Sequence, residues 1–383
     1  MKRAVYNDDH DAYRAIVRQF FEREVVPHYD QWEEQCLIDR AAFRAAATQG
    51  VYGLGVPEEY GGSGVDDFRY RSIVCEESAR VHATAFGVTM GLFDDIVLCY
   101  LAELTDDEQR KRWLPGIASG ELIGAIAMTE PGAGSDLRGI RTTATPDGKD
   151  FVINGSKTFI SCGTSCDLVV VAARTGEGRS DFGLFVVEGD MPGFVRGRQL
   201  RKVGLHAQDT AELFFDDVRV PSANLIGDAR DGLRYLMRNL PRERLSVVVQ
   251  AYASARAIYD VTRDYCFART AFGKPIGDFQ NTRFVLAEIE TELDVAEAYV
   301  DRCVVSYNAG ELTATDAAKG KWYLSELLTS LVNRCVQLHG GYGYMLEYPV
   351  ARAFADSRVQ TIYGGTTEIM KEIVGREIAR GAS

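Results

Sequence analysis

Residues 151–160 read FVINGSKTFI, and this stretch marks a change of texture in the middle of the chain. Asn154 and Gly155 stand between two short β-rich runs, a pattern typical of a tight hairpin. Three further runs rich in Val and Phe follow: DLVVVAART (167–175), FGLFVVEG (182–189) and TAELFFDDVRVP (210–221). Because Gly and Pro break these runs, the pattern predicts a β-domain of sandwich or barrel type.

Helical patterns flank this β-domain on both sides. The stretch TDDEQRKRWL begins with Thr105 as a predicted N-cap, followed by acids in the first turn. Later in the chain, Leu245, Val248 and Tyr252 fall on one helical face. The class is therefore α+β, mainly α. The predicted domains are an N-terminal helical domain (1–123), a middle β-domain (124–230) and a C-terminal bundle of about four long helices (231–383).

Composition limits the partners. The chain has 383 residues, a net charge of −12 and a pI near 5.1. Such a surface repels phosphate backbones and anionic membranes, so we expect no nucleic-acid partner. The first 25 residues carry charges throughout, and no run of eighteen apolar residues occurs. We therefore expect no secretory signal, no membrane span and a cytoplasmic protein.

The cysteines and histidines give no sign of a disulfide framework or a metal centre. Eight cysteines are scattered without a CxxC spacing, which favours reduced thiols. Five histidines are scattered without HxxxH or HExxH spacing. No metal site is expected.

The glycine-rich segments carry the functional signal. GAGSDL (132–137) lacks the strand–turn–helix context of a dinucleotide fingerprint. The longer stretch MTEPGAGSD (128–136) is either an ordinary loop or a loop whose N–H and O–H groups meet a flat polar ligand. Four further segments bear on that choice: KTFIS (157–161), ARTAFGKPIGDFQ (268–280), QLHGGYGYMLEYP (337–349) and IYGGTTEIM (362–370).

In this order and spacing, the five segments resemble the acyl-CoA dehydrogenase family, and the resemblance covers about residues 10 to 380. The family implies FAD, an acyl-CoA substrate, electron-transfer flavoprotein as acceptor and a homotetramer. Carried over by position, the flavin and its pyrophosphate would contact Met128, Thr129, Gly134 and Ser135. Phe159 and Ser161 would lie against the flavin ring, although many members have tryptophan where Phe159 stands. The FAD of a neighbouring subunit would be reached by Arg269, Phe272, Gln280, Gln337, Gly340 and Gly341, and the adenosine end by Thr366 and Glu368. Substrate contacts are implied for Ser135, Arg244 and Gly365.

The catalytic base departs from the usual family pattern. Most members have a glutamate before the Gly-Thr of the C-terminal loop, where this chain has Gly364. Glycine keeps the backbone N–H, which in the family points at the thioester oxygen, but it has no side chain to remove a proton. In the long-chain and isovaleryl branches the base comes instead from a helix, just before an arginine.

RERL (242–245) matches that arrangement, so Glu243 is the candidate base. Residues 340–373 also resemble the long-chain type, including the double glycine. The alternative is a solvated charge at a helix start, paired with a flanking arginine. The arginines favour the ionised carboxylate and burial opposes it, and the sequence leaves that balance open.

Three further functions are compatible with most of these motifs: an acyl-CoA oxidase, a dehydrogenase of carrier-protein thioesters and a non-catalytic flavin or acyl-CoA binding protein. The acyl chain is also open. In MGLFDDIVLCYL (90–101), Asp94 and Asp95 either lie in the acyl pocket, suiting a polar tail, or face solvent or cap a helix.

Overall fold

The computed structural model of the chain describes residues 3–178 and 180–381. The N-terminal helices are α1 (Asp8–Phe20), α2 (Val26–Gln35), α3 (Arg40–Thr48), α4 (Phe68–Arg80), α5 (Thr84–Gly91), α6 (Leu98–Leu104) and α7 (Asp107–Ala118). Two π-helical turns, Phe21–Val25 and Leu92–Val97, join α1 to α2 and α5 to α6. The predicted N-terminal helical domain is confirmed.

The N-cap of α7 is one residue later than predicted. Asp106, rather than Thr105, accepts a hydrogen bond from the Gln109 N–H, and the Gln109 side chain accepts one from the Asp106 N–H. This reciprocal pair satisfies two helix-end donors at once. Thr105 instead donates its hydroxyl to the Leu101 carbonyl, so it closes the preceding helix.

One helical segment, Thr84–Leu104, is long and apolar enough by length and composition to cross a membrane. Within the described chain, 78% of its most apolar window is buried. The segment therefore serves as a core helix of the N-terminal domain, as apolar helices of globular proteins do.

The middle domain is built on eight strands. They are β1 (Gly124–Ala127), β2 (Thr143–Asp147), β3 (Asp150–Ser161), β4 (Leu168–Arg174), β5 (Phe182–Glu188), β6 (Phe194–Gln199), β7 (Thr210–Val220) and β8 (Leu225–Ile226). The sheet order is β6-β7-β3-β2-β4-β5-β8, with β1 parallel to β4. Its two halves join where β2 meets β4 at a single residue pair. The rings of Phe151 and Phe185 meet edge to face at 4.9 Å, so the sheet folds over and encloses a core.

The predicted hairpin at Asn154 and Gly155 is wrong. Both residues lie inside β3, and the turn between β2 and β3 falls at Gly148, which has φ +65°. Asn154 exchanges two hydrogen bonds with Asp217 on β7, each 2.9 Å long. These cross-strand bonds outweigh the local turn preference and leave a bulge beside Gly155.

The C-terminal domain is helical, as predicted. Its helices are α8 (Gly232–Ala268), α9 (Gln280–Asn308), α10 (Ala314–His339), α11 (Pro349–Ser357) and α12 (Thr367–Gly381). A small hairpin of β9 (Thr270–Ala271) and β10 (Lys274–Pro275) follows α8. Three of the helices are long and α12 is shorter, so the bundle is less even than predicted. Pro241 lies within α8.

All three domains meet at one loop of the middle domain, the loop between β6 and β7. Glu33 on α2 accepts the Ala207 N–H at 3.0 Å, and Asp356 on α11 accepts the Leu205 N–H at 2.5 Å. Burial raises the pKa of Asp356 to about 7. Because both outer domains bond the same loop, their relative placement is fixed through it.

We expect Gly155→Ala to lower the free energy of unfolding more than Gly148→Ala. A Cβ at residue 155 would lie 2.7 Å from the Thr142 Cα, whereas one at residue 148 meets nothing within 4 Å. Gly148→Ala should cost about 1 kcal/mol for its left-handed backbone, and Gly155→Ala should add about 1–3 kcal/mol of overpacking. Denaturant midpoints of both variants provide the measurement, and equal midpoints would contradict the steric argument.

Candidate active site

The candidate base is buried. Glu243 is 5% exposed, so the alternative in which it is a solvated charge at a helix start is wrong. Its Oε1 accepts a hydrogen bond of 2.8 Å from the hydroxyl of Tyr100, which is fully buried on α6. A buried carboxylate needs such a donor, because transfer out of water without one is costly.

Burial has the largest effect on the pKa of Glu243, a question that the sequence left open. It raises the pKa of Glu243 to about 7, against the opposing effects of the Tyr100 hydrogen bond and the Arg244 charge. The other flanking arginine, Arg242, is turned away and bonds the Tyr307 hydroxyl at 3.0 Å. Glu243 is thus poised to exchange a proton near neutral pH.

The C-terminal glycine loop lies against the same face of α8. Gly364 and Gly365 have φ of +63° and +98°, a left-handed conformation that suits glycine. A Cβ at residue 364 would meet Val247 at 3.8 Å, and Val247 is one helical turn beyond Glu243. A side chain at position 364 would therefore enter the neighbourhood of Glu243.

Two buried cations face this loop. The Nε of Arg244, a 4% exposed residue, is 3.5 Å from the Gly364 carbonyl oxygen. Lys321 on α10 is fully buried and donates to the Gly365 carbonyl at 2.6 Å. A Cβ at Gly365 would lie 2.5 Å from the Met370 Cε, so a side chain here would displace that methyl group and would have a strained φ of +98°.

On the middle domain, a buried ion pair fixes the first glycine-rich segment. Lys157 is fully buried and lies 2.9 Å from Glu130 and 3.1 Å from the Met128 carbonyl oxygen. The Thr158 N–H donates to the Thr129 carbonyl at 3.0 Å. The segment from Met128 to Glu130 is therefore held against β3.

Beyond this anchor the loop is open. Gly134 and Ser135 are exposed, and nothing lies within 4 Å of a Cβ at Gly134. Phe159 is 70% exposed with φ +60°, an uncommon conformation for an aromatic residue. Ser161 donates to Gln208 at 3.3 Å, and Gln208 in turn donates to Thr89 at 3.1 Å.

The remaining cofactor candidates lie on the C-terminal domain. Arg269, Gln337, Gly340 and Gly341 line one open cleft of about 490 Å³. No residue lining that cleft also surrounds Glu243 or Gly364 in the described chain.

Four more candidates lie at helix starts or in the hairpin. Phe272, at the β9–β10 turn, is 97% exposed with φ +51°. Gln280 is exposed at the start of α9. Thr366 precedes α12, where its hydroxyl accepts the Ile369 N–H at 3.4 Å. Glu368 is exposed in the first turn of that helix.

Asp94 and Asp95 are buried in the π-helical turn, so the alternative in which they face solvent is wrong. Asp95 pairs with Arg71 at 2.9 Å, and Asp94 accepts the Leu54 N–H at 3.0 Å. Burial raises the pKa of Asp94 to about 7. Each acid has a protein partner, while the second carboxylate oxygen of each, Asp94 Oδ2 and Asp95 Oδ1, has no hydrogen-bond partner among the described residues.

Sequence reasoning missed Tyr100, Lys321 and Gln208. Tyr100 lies within the segment expected to border the acyl pocket, but it is 143 positions from Glu243. The only available signal for Lys321 is a lysine beside Gly320 on an otherwise apolar helical face, which is weak.

Comparisons with known proteins agree on one family. Models of the N-terminal, middle and C-terminal domains of acyl-CoA dehydrogenase match residues 7–121, 125–218 and 230–379. The chain is 46% identical over 380 residues to the mitochondrial long-chain specific acyl-CoA dehydrogenase of Sus scrofa, which is 98% of this chain and 88% of that protein.

Solved structures give the same result. An acyl-CoA dehydrogenase from Geobacillus kaustophilus has a TM-score of 0.94 at 44% identity, covering 97% of this chain and 98% of that chain. A glutaryl-CoA dehydrogenase from Mycobacterium smegmatis in complex with FADH2 has a TM-score of 0.91 at 28% identity, covering 98% of this chain and 95% of that chain.

Fold and relatives together define a flavin-dependent oxidoreductase of acyl thioesters. The chain belongs to the acyl-CoA dehydrogenase family, and FAD is the cofactor of this class. The residues present fit such a group. An exposed aromatic ring at Phe159, the Ser161 hydroxyl and the open backbone at Gly134 offer a face and donors to a flat, polar ligand.

We expect Tyr100→Phe to raise the pKa of Glu243 further above 7. The variant removes a hydrogen bond that favours the ionised carboxylate, worth about one pKa unit. Glu243 would then stay protonated to higher pH, so the acid limb of the rate profile should move upward. The measurement is the pH dependence of acyl-CoA oxidation. Tyr307→Phe, which removes a hydroxyl bonded to Arg242, is the matched control, and an unchanged limb in both variants would contradict the assignment.

Proposed function

We propose that the protein oxidises an acyl-CoA to the trans-2-enoyl-CoA, with Glu243 as the base that removes the proton next to the thioester carbonyl. The observation that carries this proposal is a buried carboxylate beside a loop that lacks the usual glutamate. A base works best when its pKa is near the working pH, and the pKa of Glu243 is about 7.

Charge also builds up on the thioester oxygen as the proton leaves. The backbone N–H of Gly364 is the proposed donor to that oxygen, and fixed donors of this kind stabilise the transition state. Arg244, Gly365 and Ser135 are the proposed substrate neighbours. Arg244 is only 4% exposed, so its positive charge would be poorly screened by water and would act on the nearby reacting carbons.

Bound FAD would supply the hydride acceptor, and residues of this chain would form its binding site. Met128, Thr129, Gly134 and Ser135 are proposed to hold the flavin and pyrophosphate, with Phe159 and Ser161 against the ring. Strained backbone is common at ligand sites. The positive φ of Phe159 and Phe272 supports their assignment.

We also propose that each FAD site is shared between subunits of a homotetramer. The cleft of Arg269, Gln337, Gly340 and Gly341 is separate from the Glu243 site, as expected if it serves a partner's FAD. Phe272 at 97% exposure suits the same contact. Thr366 and Glu368 are proposed at the adenosine end. A cytoplasmic location and electron-transfer flavoprotein as acceptor complete the proposal.

No observation favours a carrier-protein substrate, an oxidase or a non-catalytic binding protein. The glycine at position 364 is what a non-catalytic protein would show, but a base buried at the same place opposes that view. Similarity to long-chain specific acyl-CoA dehydrogenase favours long-chain substrates.

Purified protein should be yellow, with one FAD per subunit, and tetrameric. Because the cleft residues are proposed to hold a partner's FAD, Arg269→Ala with Gln337→Ala should lower FAD content without unfolding the chain. The ratio of flavin to protein absorbance measures the FAD content, and size-exclusion chromatography with light scattering measures the oligomeric state. A colourless monomer that takes up no added FAD would overturn the shared-site proposal.

Glu243→Gln should keep FAD and acyl-CoA binding but lose proton removal. Losing one acid–base group costs roughly 10²–10⁴-fold. The measurement is the flavin reduction rate under single-turnover conditions with a long-chain acyl-CoA. A rate within about threefold of the parent, set against that expected loss, would make Glu243 a structural residue only.

Gly364→Glu in the Glu243→Gln background is the matched rescue. The space beside Val247 admits a Cβ at residue 364, so the new carboxylate approaches from the loop side. Recovery should be partial, because a base misplaced by about 1 Å can cost 10²-fold. Gly364→Glu alone should slow bulky substrates first, since it fills this space.

A further inference from the structure

Lys321 is the most unusual charge near the site. It is fully buried on α10, and its Nζ donates a 2.6 Å hydrogen bond to the Gly365 carbonyl. An ammonium is seldom buried, because its desolvation is costly unless it is paired. No carboxylate hydrogen-bonds this ammonium in the described chain, so its principal partner is the loop backbone.

The close packing of α10 on α8 brings this lysine to the loop. A Cβ on the preceding residue, Gly320, would lie 2.9 Å from Val248, so glycine permits the approach. Lys321 and Arg244 then face the carbonyls of consecutive glycines, Gly365 and Gly364. Two cations thus share one short stretch of backbone.

This stretch needs external support. Two successive glycines have more backbone freedom than any other pair of residues, so holding them in one conformation is entropically costly. The proposed function requires the Gly364 N–H to stay in one direction. The Lys321 bond to the Gly365 carbonyl fixes the 365–366 peptide plane, and the Arg244 contact with the Gly364 carbonyl restrains the plane between it and that N–H.

We propose that Lys321 is a positioning residue, whose ammonium holds the Gly365 carbonyl and thereby keeps the Gly364 N–H directed at the thioester oxygen. The inference rests on the proposed function and extends it to a residue outside the five sequence motifs. Lys321 touches neither substrate nor cofactor in this role.

The charged groups around Lys321 define a pH dependence. Burial and Arg244 on α8 lower the pKa of Lys321 to about 8, while Glu368 on α12 and Glu326 on α10 oppose them. The ammonium is present below pH 8 and is lost as the pH rises through it. The unfolded chain keeps this proton to higher pH, so deprotonation of Lys321 favours the folded state. Activity should therefore fall above pH 8 without a fall in stability from this group.

The test compares Lys321→Met, Lys321→Arg and a control, Lys319→Met, in the FAD-loaded enzyme. Lys319 lies on the same helix but is 48% exposed and pairs with Asp316. Kinetics with a long-chain acyl-CoA give kcat and KM. A bound conjugated aryl-enoyl-CoA reports the carbonyl hydrogen bond directly, since its absorption moves to longer wavelength when that bond forms.

We expect Lys321→Met to lower kcat by about tenfold to 100-fold, because the donor is displaced rather than removed and a displacement of about 1 Å can cost roughly 10²-fold. KM should stay within about threefold, because this interaction strengthens in the transition state. The wavelength shift should largely vanish, Lys321→Arg should restore part of it, and Lys319→Met should match the parent.

A normal kcat and a full wavelength shift in Lys321→Met would overturn the proposal. If Lys321→Met does not fold, the parent enzyme supplies the test: a kcat that does not fall between pH 8 and 9.5 in folded enzyme would overturn the proposal equally. Failure of the proposed function looks different, because the parent itself would then leave its flavin oxidised on mixing with acyl-CoA.

Discussion

The hydrogen bond between Tyr100 and Glu243 is the contact on which the site depends. A carboxylate cannot be buried at this depth without a donor, and the donor comes from a different domain. This bond ties α8 to the N-terminal domain beside the π-helical turn Leu92–Val97, on which α8 also packs. Arg244 and Val247 then lie beside the C-terminal loop. The same burial raises the pKa of Glu243, so packing and basicity have one cause.

The two glycines of the C-terminal loop leave room for other groups but make the loop backbone more flexible. Gly364 leaves room beside Val247 for the base and a substrate, and Gly365 has φ +98°, a conformation that residues other than glycine rarely adopt. The cost is a flexible backbone. Lys321 and Arg244 offset this flexibility because they face the carbonyls of Gly365 and Gly364. A glutamate at position 364, as in most of the family, would add a negative charge beside these two cations.

In the middle domain, too, a buried lysine holds a loop by binding a backbone carbonyl. The Lys157–Glu130 pair is buried, and such pairs often add little net stability because desolvation offsets attraction. Its effect here is geometric, since Lys157 also binds the Met128 carbonyl and so sets where the open loop begins. Hydrogen bonds from Ser161 through Gln208 to Thr89 continue this order into the N-terminal domain.

The sequence by itself determined the order of the domains, the family and the candidate base, because periodicity and motif order are local properties and position 364 visibly lacks a carboxylate. Tertiary structure decided the rest. The turn fell at Gly148 because Asn154 bonds Asp217, 63 positions away, and such cross-strand bonds outweigh a dipeptide preference. Burial raised the pKa of Glu243 and that of Asp94 to about 7. Tyr100 and Lys321 emerged only with the fold, since desolvation and long-range contacts exist only once distant segments pack together.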